Sequence, residues 1–226
     1  MNSDEPGPAT TQVNAKASSK KAEHKRTLIL KTARRVYAAR GFSSVTMNDI
    51  AAACGISRGG LYLYYSSNEA ILADVLSQST AAYESRAERV LARKISARDN
   101  LELYLREEAQ RCFSDDPQLT GALMEYGLAY RRRSGADQTD AWERCRAAEL
   151  QFEEQEKRVL QELVRRGVNS QELRACDPEE KAGQIRIFMD GVRIRCLTGV
   201  MTEQEIQTET ANLVKDLAID RDHIVQ

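Results

Sequence analysis

Helix-capping residues are the feature of this sequence that most constrains its fold. Ser/Thr boxes closed by Asp or Glu three residues later mark helix starts, because the side chains satisfy free backbone N–H groups. Such boxes begin at Thr46, Ser66, Ser96 and Thr202. Asp116-Pro117 and Asp177-Pro178 add two starts with proline at the first helical position. Expected helix ends lie at Gly41, Gly55, Gly167 and Gly199. Together these signals predict about nine helices, over 22–40, 47–54, 58–64, 67–93, 97–113, 117–133, 138–166, 178–198 and 203–220.

Composition supports an all-α protein. The 226 residues include only 4 prolines, 42% are hydrophobic, and alternating strand patterns are nearly absent. Residues 1–20 contain Pro6, Gly7 and Pro8 but no apolar run, so we predict a disordered tail and no signal peptide. No apolar window is long enough for a transmembrane helix, and we expect a cytoplasmic protein.

Cysteine and histidine usage argues against catalysis and metal binding. The 5 cysteines are scattered at spacings unlike those of zinc sites, and the 2 histidines, His24 and His223, belong to no nucleophile or metal pattern. No phosphate-cradling or dinucleotide glycine motif is present. We therefore expect reduced thiols, no metal, no cofactor and no enzymatic activity.

Charge is distributed unevenly along the chain. The formal net charge is −1, but residues 1–66 carry 10 basic against 4 acidic side chains, and the remainder is strongly acidic. A basic first third on an acidic body is typical of a phosphate-binding domain attached to a solubilising one. A solvated charge run is the alternative explanation.

The segment 41–72 has the pattern of a helix-turn-helix. Gly55 supplies the turn after a short helix, Ile56 points inward, and Ser57 caps the next helix. Gly59 and Gly60 then weaken that helix but let its backbone approach a flat partner such as a groove wall. Tyr62 and Tyr64 come next and are expected to be exposed. Exposed tyrosines can contact phosphates and thymine methyl groups, although aromatic residues are often core.

Residues 26–76 resemble the DNA-binding domain of the TetR (tetracycline-repressor) family. The matching residues keep the family order: Gly41-Phe42, Thr46, Ile50-Ala51, Gly55-Ile56-Ser57-Arg58-Gly59, Leu61-Tyr62, Tyr64-Tyr65 and Ser67-Asn68-Glu69. Two positions depart from the pattern. Asn68 replaces a usual lysine, and Leu63 replaces a usual polar residue, which puts two phosphate contacts in doubt.

The resemblance implies a fold and a set of DNA contacts. The implied fold is an N-terminal three-helix DNA-binding domain (21–66) followed by a C-terminal helical ligand-binding and dimerisation domain (67–226), with helix 67–93 as the connector. The implied DNA-binding residues are Lys25, Arg26, Thr46, Asn48, Arg58, Gly59, Gly60, Tyr62 and Tyr64. The implied mechanism is repression of a palindromic operator, relieved when a ligand in the body changes the spacing of the two domains.

The middle helices offer candidate ligand-binding residues. These are Tyr104, Phe113, Met124, Tyr126, Tyr130, Trp142 and Phe152, with Glu125 and Arg131 as polar anchors. Aromatic walls with few polar groups would suit a hydrophobic or aromatic small molecule. The alternative is that these aromatic residues are ordinary core, and that the run Arg131-Arg132-Arg133 is a solvated helix end.

The last two helices carry a candidate dimer interface. Helix 178–198 has two apolar stripes, one with Ile185 and Met189 and one with Ile187 and Ile194, so it needs two packing partners. The predicted interface residues are Ile187, Ile194, Ile206, Leu213 and Leu217, arranged as a four-helix bundle across a two-fold axis. Intramolecular core is the alternative. Asp190 and Arg193 are predicted to form an ion pair.

The sequence thus predicts a homodimeric, sequence-specific regulator that binds double-stranded DNA and a small-molecule effector. The alternative is an effector-independent or architectural DNA-binding protein whose body binds a protein partner. Release from a specific operator by a small molecule distinguishes the two.

Overall fold

The computed structural model describes residues 8–113, 119–132 and 140–219. In these ranges the chain forms nine α-helices and no strand longer than an isolated bridge between Leu173 and Ala218. The helices are α1 Pro8–Arg40, α2 Met47–Ala53, α3 Arg58–Tyr62, α4 Asn68–Leu91, α5 Ala97–Gln110, α6 Thr120–Arg132, α7 Asp140–Asn169, α8 Pro178–Leu197 and α9 Glu203–Leu217. A 3-10 turn, Arg111–Phe113, follows α5. The all-α prediction is confirmed.

Most of the predicted caps are present. Thr46 and Thr202 close reciprocal capping boxes with Asp49 and Glu205, and Asp177 accepts two backbone N–H bonds at the start of α8. The start of α4 differs by one residue, because the side chain of Ser67 rather than Ser66 accepts the Ala70 N–H. The predicted start at Asp116-Pro117 lies outside the described residues.

Helix α1 begins earlier than the sequence suggested. It starts at Pro8 rather than near residue 22, so helix replaces the expected disordered tail over 8–20. Proline suits the first helical turn, and the segment after it contains alanine, lysine and glutamine without another proline or any glycine. Residues 1–7 lie outside the described part of the chain.

Gly167 was predicted to end a helix and does not. Helix α7 continues to Asn169, and Gln171 takes the left-handed conformation (φ 56°) beyond it. A Cβ built on Gly167 would overlap the Leu173 side chain. The glycine is therefore required for the close return of the chain, which the sequence pattern could not distinguish from a helix end.

Two hydrophobic clusters hold the helices together. The first joins α1–α3 and the start of α4 to apolar residues of α6 and the beginning of α7, so it crosses from the helix-turn-helix segment into the body. The second lies between the rest of α4 and α5, α7, α8 and α9. Within the described ranges no helix has the length and apolar character needed to cross a membrane.

Candidate nucleic-acid interface and adjoining cavity

Helices α2 and α3 form the turn motif that the sequence predicted. Gly55 adopts a positive φ of 66°, and Ser57 accepts the Gly60 N–H at 3.0 Å to cap α3. Ile50 and Leu61 are fully buried and fix the two helices against α1. The opposite faces of both helices are thereby left on the surface.

The surface of α2 and α3 carries polar and aromatic side chains suited to a nucleic acid. Thr46, Asn48 and Arg58 are exposed, and Tyr62 is partly exposed. The Arg58 guanidinium lies 5.5 Å from the centre of the Tyr62 ring and donates to its hydroxyl at 3.4 Å. This pair presents a cation and an aromatic edge together, a combination suited to phosphate and base contacts.

The other implied DNA contacts are less uniform. Gly59 is open to solvent, whereas a Cβ at Gly60 would lie 3.2 Å from the Ser57 hydroxyl, so Gly60 also serves the cap. Tyr64 is half-buried against the first cluster. On α1, Lys25 is half-buried, and exposed Arg26 stacks over the Tyr65 ring at 5.6 Å.

The two departures from the family pattern have distinct structural settings. Asn68 donates to the Val45 carbonyl at 2.8 Å and accepts the Tyr37 hydroxyl at 2.7 Å, so it ties the start of α4 to α1 and to the loop before α2. Leu63 caps the end of α3 and is 83% exposed beside the tyrosines. Asn68 therefore stabilises the contact of α4 with α1 and with the loop before α2. Leu63 puts an apolar group on the candidate interface.

An aromatic joint connects the helix-turn-helix segment to the body. Phe42, which follows Gly41, packs edge-on against Tyr126 of α6 and Trp142 of α7, at 6.3 and 6.2 Å between ring centres. Tyr126 and Trp142 stack on each other at 4.8 Å, and the Tyr126 hydroxyl donates to the Trp142 carbonyl. Both body residues are buried in the first cluster.

A second link lies one residue from this joint. The Glu125 carboxylate of α6 accepts the Ser43 backbone N–H at 2.8 Å. It lies so close to Gly41, whose φ is 75°, that a Cβ there would meet a Glu125 oxygen. Helix α6 is thus attached to the turn between α1 and α2 through both an aromatic ring and a hydrogen bond.

A cavity of about 490 Å³ opens on the other side of α6. Its walls come from α4, α5, α6, α7 and α8, with Arg34 of α1 reaching in and donating to Ser79 at 2.6 Å. Leu123, Met124 and Leu128 provide an apolar side. A volume of this order is usual for small-molecule sites, which span about 300–1,000 Å³.

Charged residues also line the cavity. Arg193 of α8 pairs with Glu156 of α7, and both side chains are almost fully buried, at 11% and 4% exposure. Arg193 also pairs with Asp190 at 2.8 Å, which confirms the ion pair predicted from the sequence and places it within one subunit. Glu108 of α5 pairs with Arg111 at 3.2 Å.

Burial shapes the protonation chemistry behind these pairs. Desolvation raises the pKa of Glu108, and the neighbouring arginines Arg111 and Arg86 oppose that rise. Tyr83 and Tyr104 share a hydroxyl–hydroxyl bond of 2.7 Å next to the cluster, and burial holds the pKa of each phenol well above its usual range. The phenols are therefore neutral hydrogen-bonding groups at physiological pH.

Of the predicted ligand-binding residues whose side chains are described, Met124 and Phe152 line this cavity. Tyr126 and Trp142 belong to the aromatic joint, Tyr104 is buried against Tyr83, and Phe113 lies half-exposed on the 3-10 turn. The side chains of Tyr130 and Arg131 are outside the described part, and Glu125 faces the turn after α1. Tyr104, Tyr126 and Trp142 are core rather than pocket walls, because each of them contacts a buried aromatic residue.

Sequence reasoning missed the charged lining, although a signal was available. On α7, Glu156 stands in register with Phe152, Leu160 and Leu163, inside an otherwise apolar stripe. Glu108 interrupts the buried face of α5 in the same way. A carboxylate in an apolar stripe indicates a buried cationic partner, and buried ion pairs of this kind are common in functional cavities.

The predicted dimer residues fall into two groups. Ile187 and Ile194 are exposed on α8, at 69% and 42%, while Ile185 and Met189 on its other side are buried. Ile206 is only 1% exposed, and Leu213 and Leu217 pack against the same second cluster. Ile206 is therefore intramolecular core, because the apolar face of α9 is used in packing on α5.

The fold combines a helix-turn-helix segment with a helical body. Residues 29–75 match the family model described as bacterial regulatory proteins of the tetR family. The HTH-type transcriptional regulator YerO of Bacillus subtilis (strain 168) is 46% identical over 48 residues, which cover 21% of this chain but 17% of YerO.

Solved structures extend the likeness to the whole fold. A putative transcriptional regulator from Saccharomonospora viridis, in complex with choline, matches with a TM-score of 0.74 and 20% identity, covering 88% of this chain and 100% of that one. The reduced form of E. coli NemR matches with a TM-score of 0.69 and 18% identity over 87% and 97% of the two chains. Residues 29–75 are thus similar to the DNA-binding segment of tetR-type regulators, and the solved structures share the helical fold of the whole chain.

Proposed function

We propose that this chain is a homodimeric repressor that binds a palindromic DNA operator and releases it when a small molecule occupies the cavity. The observation that carries the proposal is the position of α6. One side of this helix lines the cavity through Met124 and Leu128, and the adjacent residue Glu125 holds the turn that precedes α2. A ligand that displaces α6 would therefore reposition the DNA-binding helices.

The proposal assigns DNA contacts to residues 21–66. Thr46, Asn48, Arg58, Gly59, Gly60, Tyr62 and Tyr64 form the reading face, with Lys25 and Arg26 as flanking phosphate contacts. The exposed Arg58–Tyr62 pair supports this assignment, since guanidinium groups and phenols are common partners of phosphates and base edges. The helical body, 67–226, would dimerise through the exposed stripe of α8, and its cavity would receive the effector.

Binding of genomic fragments by the purified chain tests the DNA-binding part. We expect enrichment of a palindromic motif whose half-sites lie about one helical turn, or a multiple of it, apart. Arg58→Ala should weaken binding by about 1–3 kcal/mol. Arg98→Ala, an exposed arginine at the start of α5 in the body, is the matched control and should bind like the unaltered chain.

Two outcomes would contradict the proposal. Sequence-independent binding that is equally salt-sensitive in Arg58→Ala and Arg98→Ala would favour an architectural DNA-binding protein. Specific binding that no small molecule releases, together with a protein partner on the body, would favour effector-independent regulation. The fold neighbour crystallised with choline supports the effector-responsive reading, as does the size of the cavity.

A further inference from the structure

The cavity has one apolar side that nothing in the described chain covers. Met124 and Leu128 of α6 are exposed hydrophobic residues, and they face the interior together with Leu123 and Phe152. When an apolar group displaces water from an open apolar surface inside a concave site, the free energy falls. The site is therefore suited to a ligand with an apolar body.

The carboxylates of the lining already have cationic partners. Glu156 and Asp190 share Arg193, Glu149 accepts from Arg146 at 2.6 Å, and Glu153 lies 3.6 Å from Arg186. Glu108 pairs with Arg111 at 3.2 Å. A positively charged ligand would have to compete with one of these pairs, and replacing an internal guanidinium offers little net gain.

Arg86 of α4 is a cation of the cavity lining with a long, shared contact to a carboxylate. Its nearest carboxylate, Glu108, is shared with Arg111, and the Nε of Arg86 lies 3.9 Å from the shared oxygen. That Nε is buried and has no hydrogen-bond partner in the described part of the chain, while the Tyr83 ring lies 5.3 Å from the guanidinium carbon. A buried N–H without an acceptor is costly, so a bound acceptor there would be stabilising.

We propose that the effector is an amphipathic organic anion, with a compact monoanionic head such as a carboxylate bound by Arg86 and an apolar body packed against α6. The proposal rests on the proposed function and names the chemical class of its effector. A carboxylate supplies a negative charge of its own for Arg86 and an acceptor for the buried Nε, and guanidinium–carboxylate pairs are stronger than neutral hydrogen bonds. The apolar body would press on the helix that carries Glu125.

Matched amphiphiles test the head group. Binding of decanoate, decan-1-ol and decylammonium to the full chain is measured by calorimetry below their micelle concentrations, with 2-naphthoate and 2-naphthol as an aromatic pair. We expect at least one carboxylate to bind about tenfold or more tightly than its neutral counterpart, and decylammonium to bind more weakly than decanoate. If neither carboxylate exceeds its neutral counterpart, or if decylammonium binds best, the proposal is overturned.

Variants of Arg86 assign the preference to this residue. Arg86→Met keeps an apolar stem without the charge and should reduce the ratio of carboxylate to alcohol affinity to near one while leaving alcohol binding in place. Arg86→Lys retains the charge and should keep part of the preference, which guards against a folding defect in the methionine variant. Arg89→Met, an exposed arginine on the same helix outside the cavity, is the control and should change nothing. An unaltered ratio in Arg86→Met would contradict the assignment.

The same samples separate this proposal from the proposed function. Operator binding by the ligand-free chain is measured alongside ligand affinity. Absence of specific operator binding would overturn the regulator proposal whatever ligand binds. Operator release by decylammonium or by the alcohol, with no advantage for the carboxylate, would preserve the effector-responsive regulator and overturn the anionic effector.

Discussion

Thr46 has both a structural and a proposed functional role. Its hydroxyl accepts the Asp49 N–H at 3.3 Å and donates to the Asp49 carboxylate, while the residue remains exposed on the candidate interface. Loss of an N-cap typically costs about 1 kcal/mol. A phosphate contact from the same hydroxyl would add to the cost of its removal only when DNA is bound.

Comparison of Thr46→Ala with Thr46→Ser separates these roles. We expect Thr46→Ala to lower the melting temperature by about 2–4 °C, because the cap of α2 is lost, and to weaken operator binding beyond what that loss explains. Thr46→Ser keeps the hydroxyl and should restore both properties. Thermal unfolding followed by circular dichroism and DNA binding by fluorescence anisotropy are the measurements. Equal melting temperatures for all three proteins would show that the cap is not stabilising.

Asp49 makes the stability of this cap dependent on pH. Hydrogen bonds from the Thr46 hydroxyl and backbone N–H, followed by the bond from Arg40, lower the pKa of Asp49 to about 2. Because the folded-state pKa lies below the unfolded value of about 4, its contribution is complete above about pH 4 and is lost as pH falls toward 2. The difference in melting temperature between the unaltered chain and Asp49→Ala should therefore be constant from pH 7 to about 5 and shrink below pH 4. A difference that grew on acidification would contradict this sign.

Single residues show which features a sequence can predict. The caps at Thr46 and Thr202 were correctly predicted because capping depends on side chains three positions apart. The placement of Tyr126 and Trp142 was not, because their burial depends on Phe42, which is far from both in sequence. The charged lining depends likewise on Arg86, Glu108 and Glu156, which come from three helices.

Helix α6 is the element that connects the cavity to the DNA-binding segment. Its cavity side includes Met124 and Leu128, and Glu125 between them accepts the Ser43 N–H. Residues three or four apart on a helix share a face, so a ligand can contact Met124 and Leu128 together. A ligand that displaces this face would displace α6 as a whole. We expect the Glu125–Ser43 bond to transmit that movement.

Glu125→Ala tests the coupling through α6. The variant should bind the operator with nearly unchanged affinity in the absence of effector, but the effector should release it far less efficiently. A typical allosteric coupling corresponds to a factor of about 5–150, and loss of most of it is the expected result. Glu84→Ala, an exposed glutamate on α4, is the control. Equal release of Glu125→Ala and the unaltered chain would show that the coupling takes another route.

Gly41→Ala offers an independent approach to the same link. The residue has a φ of 75°, and an added Cβ would displace the Glu125 carboxylate. We expect a loss of about 1 kcal/mol or more in the free energy of unfolding, because alanine is strained in the left-handed region, together with the same loss of effector response. Denaturant unfolding and operator release are the measurements. Normal release by the folded variant would argue against the Glu125 contact as the link.

Among the secondary-structure elements, helix starts were predicted best where the capping residues lie next to them in sequence. Helices α2, α5, α8 and α9 begin where their caps predicted. The start of α1 was misplaced because proline and glycine at positions 6–8 resemble a tail even though helix formers follow them. The interior role of Gly167 was hidden because its partner, Leu173, approaches only after the chain turns back.

The whole molecule exposes an apolar stripe on α8 that suits a second copy. Ile187 and Ile194 are exposed, and a Cβ built on Gly191 between them would meet open space rather than another described element. We expect Ile187→Glu combined with Ile194→Glu to give monomers that bind the operator poorly, because two reading heads are needed for a palindrome. Light scattering after gel filtration measures the mass. Ile95→Glu, an exposed isoleucine between α4 and α5, should leave the dimer intact, and a dimeric double variant would place the interface elsewhere.

The position of Trp142 permits a test of cooperativity across the molecule. It is the only tryptophan in the chain, and it is buried where Phe42 meets the body. Since the first hydrophobic cluster spans both parts, the DNA-binding segment and the start of α7 should unfold together. Urea transitions followed by tryptophan emission and by far-UV ellipticity should coincide. An early loss of ellipticity with unchanged emission would indicate that the DNA-binding segment unfolds separately.

The aromatic joint also limits which gene fusions this chain would tolerate. A gene fusion that joined this DNA-binding segment, ending near residue 66, to the body of another regulator would leave Phe42 without the surfaces of Tyr126 and Trp142. An exchange of operator specificity between relatives would therefore have to carry matching residues of α6 and α7, or be made by substitutions on the exposed faces of α2 and α3 alone. The second route leaves the joint intact, so new DNA specificities are expected to arise more readily by drift on those faces than by shuffling of whole domains.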